Sequence, residues 1–171
     1  MVKFMFEGSR RPTSSIDGGR WVVFRLDEGR YALPLAAVHR VVRAVYVTGL
    51  PRAPVGVLGA VNVAGCILPV FDLRERFGLP ARRPDVADHF LIAHTPRRTV
   101  VLAIDAAEGV IDQPLSALVP AARIAPGLEQ LKGVIPLSDG LLLIQDLDRL
   151  LSAEETHSLD EALTEESLRA G

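Results

Sequence analysis

Residues 59–80 read GAVNVAGCILPVFDLRERFGLP, a run of small and branched apolar residues that turns charged from Asp72. The apolar segments Val57–Val63 and Ile67–Phe71 predict two strands joined by a turn of three residues, Ala64-Gly65-Cys66. Asp72 stands three residues before a glutamate, which is the spacing of a helix N-cap. A glycine and a proline follow where that short helix must end. The stretch therefore predicts a unit of strand, turn, strand and short helix.

Two residues within this unit carry predictions of their own. Pro69 has no N–H to donate to a neighbouring strand, which favours an edge position or a bulge. Cys66 is the only cysteine among 171 residues, so an internal disulfide is excluded. Because its neighbours are glycine and aliphatic residues, Cys66 is interpreted as a small buried hydrophobe, with a reactive thiol as the alternative.

The same unit recurs in the second half of the chain. Placing residue n beside residue n+74 aligns, without a gap, Gly59 with Gly133, Ile67 with Leu141, and Asp72 with Asp146. Placing n beside n+69 aligns residues 31–42 with residues 100–111, where most apolar positions coincide. Because a lobe of about 60 residues is only marginally stable alone, the repeat predicts two similar β-lobes with a shared hydrophobic core. Whether each lobe is contiguous or exchanges a strand with the other stays open.

Short strands separated by glycine and proline turns favour an all-β fold of closed or nearly closed lobes with about five strands each. The first hairpin is predicted in WVVFRLDEGRYALPL (21–35), around a turn Asp27-Glu28-Gly29 whose glycine can take a positive φ. Residues 1–19 are expected to form a flexible arm. Residues 153–171 are expected to form an acidic tail, either as a weak helix or as a frayed end. The folded domain is therefore expected over residues 20–152.

Charge and hydropathy argue against two classes of partner. The 19 basic and 21 acidic side chains give a net charge of -2, which creates no field to attract a polyanion, so nucleic-acid binding is not expected. The sequence has no apolar stretch long enough for a secretion signal or a spanning helix. Direct membrane insertion is therefore not expected, and the predicted location is cytoplasmic.

The titratable residues form no recognisable catalytic or metal site. The histidines at positions 39, 89, 94 and 157 have no metal-ligand spacing with one another, with the cysteine or with a carboxylate. Phosphate-binding and nucleophile motifs are absent from the sequence, so no cofactor is expected. Asp72 and Asp146 are interpreted as helix caps instead of catalytic acids. These observations favour a non-catalytic binding module, with an enzyme or a small-molecule sensor that uses the inter-lobe crevice as the alternative.

Several segments resemble one known family. The motifs YALPL (31–35), GAVNVAGxxxPVFDLRERFGLP (59–80), VLAID (101–105) and GVIPLxDGLLLIQDLDRLLS (133–152) are similar in order and spacing to those of the CheW-like coupling domain of bacterial chemosensory arrays. The resemblance extends over residues 20–152. It implies two SH3-like five-stranded β-barrel lobes around a shared hydrophobic core, with a short C-terminal helix.

The resemblance also implies a function. CheW-like proteins are adaptors that hold the cytoplasmic tips of methyl-accepting chemoreceptors and the regulatory domain of a CheA-type histidine kinase in one lattice, and the adaptor itself catalyses no reaction. By resemblance, the chain is expected to be a non-catalytic adaptor between these two partners. An adaptor of a chemosensory pathway that does not control flagella is the alternative within the family.

The predicted protein-binding residues lie in three segments. A receptor tip is expected to lay one helical face in an apolar groove between the lobes, and the end of a lobe is expected to meet a similar lobe of the kinase. The candidate contacts are Val38, Arg40, Val41, Val61, Asn62, Val63, Ala64, Gly65, Ala106 and Val110. The alternative interpretation is that the valines among them belong to a half-buried core.

Two of these segments depart from the motifs of the family. Where members commonly have V-x-E-[IV], this chain has Val38-His39-Arg40-Val41, and where they commonly have N-L-R-G, it has Asn62-Val63-Ala64-Gly65. A base therefore replaces an acid at Arg40, and a neutral residue replaces a base at Ala64. The two changes together predict an altered receptor or kinase specificity, with neutral drift as the alternative.

Overall fold

A computed structural model describes residues 19–128, 131–150, 162–164, 166 and 168. The strands in this part of the chain are β1 (Arg20–Leu26), β2 (Gly29–Pro34), β3 (Val38–Arg43), β4 (Val57–Val63), β5 (Cys66–Asp72), β6 (His89–His94), β7 (Thr99–Ile104), β8 (Ala106–Asp112), β9 (Val119–Pro120), β10 (Leu131–Leu137) and β11 (Gly140–Gln145). Two short helices follow β5 and β11, namely α1 (Leu73–Arg76) and α2 (Leu147–Leu150). The fold is all-β with two lobes, as the sequence predicted.

The strands form two sheets that divide the chain unequally. The first sheet has the order β8-β1-β2-β11-β10-β9, and the second has the order β3-β6-β7-β5-β4. The second lobe is therefore one continuous segment, from β3 to β7. The first lobe combines the amino-terminal hairpin β1–β2 with four strands from the second half of the chain, which answers the question of strand exchange.

The sheet pairings confirm the internal repeat. In the second lobe β5 and β7 run parallel and Val70 pairs with Val101, while in the first lobe β11 and β2 run parallel and Ile144 pairs with Ala32. Val70 and Ile144 are 74 residues apart, and Ala32 and Val101 are 69 residues apart, which are the two offsets found in the sequence. The strand order β8-β1-β2-β11-β10 thus corresponds to β3-β6-β7-β5-β4.

The first sheet has six strands instead of the predicted five because the chain after β8 pairs again. A turn of 3-10 helix separates β8 from β9, and Val119 of β9 pairs with Val134 of β10. In the second lobe the chain after β3 makes the corresponding contact as a single bridge between Thr48 and Ala60. In both lobes the segment that follows one edge strand therefore pairs with the opposite edge and curls the sheet around its interior.

The lobes share one large hydrophobic core. This shared core consists of Val22, Phe24, Leu26, Tyr31, Leu33, Val41, Leu50, Ala60, Phe71, Leu73, Leu91, Ala93, Val100, Leu102, Ile104, Leu147 and Ala162. Because side chains alternate along a strand, β1 sends Phe24 to the shared core and Val23 to a separate cluster inside the first lobe. The buried residues of both sheets therefore hold the lobes together as well as filling each one.

The interiors of the two lobes correspond at five positions. The first-lobe interior contains Trp21, Val23, Ala32, Ile135, Leu142 and Ile144, and the second-lobe interior contains Phe90, Ile92, Val101, Val61 and Val70. At the offset of 69, Trp21, Val23 and Ala32 correspond to Phe90, Ile92 and Val101. At the offset of 74, Val61 and Val70 correspond to Ile135 and Ile144. The repeat is therefore preserved in the packing as well as in the backbone.

Both predicted helix caps are present. The Asp72 carboxylate accepts a hydrogen bond from the backbone N–H of Arg74 at 2.9 Å, and the Asp146 carboxylate accepts one from the backbone N–H of Asp148 at 3.1 Å. Pro69 lies in the half of β5 that has only β4 beside it, since pairing with β7 begins at Val70. The missing N–H of Pro69 therefore interrupts no ladder between β5 and β7.

The interpretation of Cys66 as a buried hydrophobe is wrong, because Cys66 is exposed. It is the first residue of β5, and this half of the strand extends past the end of its pairing with β7. The turn before it has two residues, not three, since Val63 pairs with Cys66. The first hairpin also differs from its prediction, because Asp27 has the positive φ of 51° and Gly29 does not.

The described part of the acidic tail is helical at residues 162–164, 166 and 168. Ala162 is only 2% exposed and belongs to the shared core, and Leu163 packs against that core. Packing against the lobes supports a helix that its sequence alone makes marginal. The predictions made for residues 1–18 and 153–161 lie outside the described residues.

Candidate protein-binding site

The first predicted segment lies on β3, an edge strand of the second lobe. Val41 is buried in the shared core, and Val38 is half-buried against it. Arg40 is also half-buried, and its Nε atom is enclosed without a hydrogen-bond partner among the described residues. The core interpretation of the valines therefore holds for Val41, whereas Val38 and Arg40 keep part of their surface in solvent.

The second predicted segment forms the tip of the β4–β5 hairpin. Val61 is 4% exposed and packs in the interior of the second lobe, so its side chain is core, and Val63 is half-buried against the same cluster. Asn62 is exposed, and its side-chain oxygen accepts a hydrogen bond of 2.9 Å from the backbone N–H of Gly65. Ala64 and Gly65 both have positive φ, 51° and 86°. This is the backbone of a type I′ turn, in which an alanine is unfavourable.

The third predicted segment belongs to β8, the edge strand of the first lobe. Ala106 and Val110 are both half-buried, and Val110 packs against the shared core as Val38 does from the other lobe. The fold therefore brings Val38, Val41 and Val110 to one core. It places the β4–β5 hairpin at the opposite edge of the sheet from β3.

Two exposed apolar residues at equivalent positions were missed by the sequence analysis. Ile67 is 48% exposed at the start of β5, and Leu141 is 60% exposed at the start of β11. They are 74 residues apart, so each lobe presents a large aliphatic side chain at the same place. The alignment at offset 74 already paired them, but the sequence could not show that both face solvent.

An ion cluster around the buried Arg74, at the junction of the lobes, was also missed. Arg74 of α1 is 5% exposed and donates to Asp27 at 2.7 Å and to Asp105 at 2.6 Å. Asp27 lies in the β1–β2 turn of the first lobe, and Asp105 lies between β7 and β8, where the chain crosses from one lobe to the other. Arg82 donates to Asp105 at 2.7 Å and to Asp88 at 2.8 Å. These five residues, the inter-lobe ion cluster, connect the two lobes by charge.

The cluster sets the ionisation of its members. Burial alone would raise the pKa of Asp105, but the backbone N–H of Asp27 and the guanidinium groups of Arg74 and Arg82 outweigh burial and hold that pKa below its ordinary value. Burial alone would lower the pKa of Arg74, and its hydrogen bonds to Asp105 and Asp27 raise it instead. The charges of Asp105 and Arg74 are therefore retained at neutral pH.

A cleft of about 260 Å³ lies between the lobes near α2. It is lined by Leu33, Pro34, Ala37, His94, Pro96, Lys132, Gln145, Asp146, Leu147 and Asp148. Converging polar groups are what the small-molecule alternative requires, but Asp146 is already engaged as the cap of α2 and pairs with Arg149 at 3.5 Å.

Among the described residues, no three His, Cys, Asp or Glu side chains are placed to hold a metal ion. In the same part of the chain, no helix has the length and apolar character needed to cross a bilayer.

The fold and the motifs correspond to a known family. A family model described as the CheW-like domain matches residues 20–155, which is most of the chain. The chain belongs to the CheW-like family. Its membership confirms the fold and the functional class that the sequence predicted, a chemotaxis adaptor.

Named relatives and a solved structure agree with this assignment. The chain is 28% identical over 142 residues to the chemotaxis protein CheW of Rhizobium meliloti, covering 81% of this chain and 92% of that protein. It is 26% identical over 145 residues to the chemotaxis protein CheW of Klebsiella aerogenes, covering 84% and 87%. The crystal structure of the scaffolding protein TtCheW from Thermoanaerobacter tengcongensis superposes with a TM-score of 0.73 at 28% identity, covering 81% of this chain and 95% of that one. This CheW-like chain therefore matches its relatives over nearly their whole length.

Proposed function

We propose that this CheW-like chain bridges the regulatory domain of a CheA-type histidine kinase and the cytoplasmic tip of a methyl-accepting chemoreceptor. It would act at the cytoplasmic face of the membrane that holds the receptor, without catalysing a reaction and without inserting into the bilayer. An adaptor of this kind needs at least two separate contact surfaces, because it must hold two partners at the same time. We assign these two surfaces to different places on the lobes.

The observation that carries the proposal is the pair of exposed aliphatic side chains at equivalent positions, Ile67 and Leu141. Each lies at the start of the second strand of a hairpin, where the strand extends from its lobe. Large aliphatic side chains are costly to leave in water, so their repetition in both lobes suggests that each lobe end meets another protein. A kinase domain with lobes of the same fold would present a matching surface to either end.

The receptor contact is proposed for a different place, the strip between the edge strands β3 and β8. Val38 and Val110 come from different lobes, are half-buried, and pack against the shared core. A helix that lays one apolar face across this strip would complete the burial of both side chains. The predicted contacts Val38, Arg40, Ala106 and Val110 belong to this strip, whereas Asn62, Ala64 and Gly65 belong to the lobe end.

The proposal is tested by separating the two surfaces with mutations. The Ile67→Ser/Leu141→Ser variant should bind the kinase regulatory domain at least about tenfold more weakly, because both apolar anchors are removed. Its affinity for a receptor cytoplasmic fragment should stay within about twofold of wild type. The dissociation constants are measured by isothermal titration calorimetry, and each single variant then shows which lobe end contributes.

The control is Val86→Ser, which removes an exposed aliphatic side chain from the loop before β6. It should bind both partners as wild type does. Unchanged kinase binding by the double variant, or an equal loss of binding to both partners, would contradict the division of surfaces.

A further inference from the structure

The edge strand β3 carries basic side chains that nothing in the described chain neutralises. Its sequence, VHRVVR, includes His39, Arg40 and Arg43 and no acid. None of the three forms an ion pair with a carboxylate among the described residues. The enclosed Nε atom of Arg40 also has no acceptor there. Asp88 lies one residue before His89, the cross-strand partner of Arg43, but its carboxylate already accepts from Arg82 at 2.8 Å.

The equivalent edge strand of the first lobe shows the opposite arrangement. The offset of 69 places His39 on Glu108 and Arg43 on Asp112 of β8, so basic residues of one lobe correspond to acidic residues of the other. Glu108 pairs with Arg30 at 2.9 Å and with Arg25 at 3.3 Å, and Asp112 pairs with Arg20 at 3.5 Å. The charges of β8 are therefore balanced within the lobe, whereas those of β3 are not.

The position of β3 makes its charges available to a partner. Within the described part of the chain, β6 is its only neighbour in the second sheet, so one edge of the strand has no strand paired to it there. Arg43 is exposed, and Arg40 lies between the half-buried Val38 and the buried Val41. A segment lying along this edge would meet a cation from each face of the strand together with the apolar strip. It would also supply carboxylates to Arg40 and Arg43, which have no ion-pair partner among the described residues, and hydrogen bonds between charged groups are stronger than those between neutral groups.

We infer that the β3 edge of this chain recognises an acidic segment of the receptor tip, with carboxylates placed opposite Arg40 and Arg43. The inference rests on the proposed function and adds the chemistry of the partner to it. The glutamate of the V-x-E-[IV] motif would repel such a segment, and Arg40 in its place attracts it. The replacement at Arg40 is then a determinant of partner choice, since like charges facing each other across an interface disfavour the wrong partner.

The test reverses the charges of β3 and measures the binding of the receptor fragment. The Arg40→Glu/Arg43→Glu variant should bind at least about tenfold more weakly than wild type, because two attractive contacts become repulsive. The affinity of wild type should also fall as the salt concentration rises, and that of the variant should fall less or should rise. A receptor fragment whose acidic residues are replaced by lysine should bind the variant more tightly than it binds wild type.

The matched control is Arg83→Glu/Arg123→Glu, which makes the same change of net charge at two exposed arginines outside β3. It should bind the receptor fragment within about twofold of wild type, and thermal unfolding of both double variants verifies that they fold. Binding by the β3 variant as tight as that of the control would overturn the inference while leaving the adaptor function in place. If the β3 variant lost as much binding to the kinase domain as to the receptor fragment, or more, the choice of the receptor as the partner at β3 would be wrong. If wild type bound the kinase domain and failed to bind the receptor fragment, both the inference and the receptor half of the proposed function would be wrong.

Discussion

At the scale of single residues, Ala64 shows how a change at a candidate contact also changes backbone energetics. It occupies the first position of a two-residue turn with φ of 51°, a conformation that costs an L-residue about 1–2 kcal/mol unless it is glycine or asparagine. The side chain of Asn62 supports the turn from outside by accepting from Gly65 at 2.9 Å. The hairpin tip is therefore held in place despite an unfavourable residue at its apex.

The Ala64→Asn variant should be more stable than wild type by about 0.5–1 kcal/mol, because asparagine tolerates left-handed backbone and Asn-Gly is the preferred sequence of this turn. The free energy of unfolding is measured from urea titrations. Ala122→Asn, at an exposed position without positive φ, is the control and should change stability little or lower it. If Ala64→Asn changed the free energy of unfolding no more favourably than Ala122→Asn does, the turn would impose no backbone cost on alanine.

Single residues also mark what sequence could and could not predict. The caps at Asp72 and Asp146 were predictable, because a cap depends on residues two or three positions away. The exposure of Cys66 was not, because it depends on where β5 begins to pair with β7, and the first pair, Val70 with Val101, joins residues 31 positions apart. The burial of Val61 within its lobe and the exposure of Ile67 also depend on how strands distant in the sequence pack together.

At the scale of elements, the repeated glycines Gly59 and Gly133 serve the same close approach in both lobes. A Cβ atom on Gly59 would overlap the backbone carbonyl of Thr48, and one on Gly133 would overlap the backbone carbonyl of Val119. These are the segments that follow β3 and β8 and pair with β4 and β10. Each lobe can curl around its interior only because the strand β4 or β10 has no side chain at that point.

Alanine at either glycine should therefore lower the free energy of unfolding by about 2 kcal/mol or more, since the backbone of the crossing segment must move. Both variants should lose stability, although the residues lie in different lobes, and Gly59→Ala should lose more because the φ of 149° at Gly59 is also unfavourable for an L-residue. Gly49→Ala is the control, because a Cβ atom there meets nothing within 4 Å. The equivalence of the two closures would be refuted if one of the two variants were as stable as Gly49→Ala in a denaturant titration.

The elements themselves were mostly predictable, and their pairing was not. The hairpins β1–β2 and β4–β5 follow from alternation and turn residues in a single stretch of sequence. Strand β9 has only two residues, Val119 and Pro120, so it has too little pattern to detect. The assignment of β1 and β2 to the lobe formed by the second half of the chain depends on contacts across more than a hundred residues, which local patterns do not encode.

At the scale of the whole molecule, the lobes are joined by a shared apolar core and by charges at one point of that junction. Apolar contacts in the core have no preferred direction. The hydrogen bonds of the inter-lobe ion cluster do, and they specify which loop of the first lobe meets α1 of the second. Arg74 is buried and bonds carboxylates from both sides of the junction, so removal of one partner would leave a buried charge that is only partly compensated. An adaptor that holds two partners at a fixed spacing benefits from a fixed angle between its lobes.

The charge of Asp105 should make the stability of the whole molecule depend on acid pH. Because the pKa of Asp105 is lower in the folded protein than in the unfolded chain, its contribution is fully present above the unfolded value of about 3.9 and is lost as the pH falls through the folded value. Wild type should therefore unfold at a higher temperature than Asp105→Asn at pH 6 to 7, and the difference should shrink steadily below about pH 4. Asp112→Asn, which removes an exposed carboxylate paired with Arg20, should differ little from wild type at any pH. A difference between wild type and Asp105→Asn that stays constant from pH 7 to pH 2 in thermal unfolding would mean that the carboxylate joins the lobes by its shape and hydrogen bonds, and not by its charge.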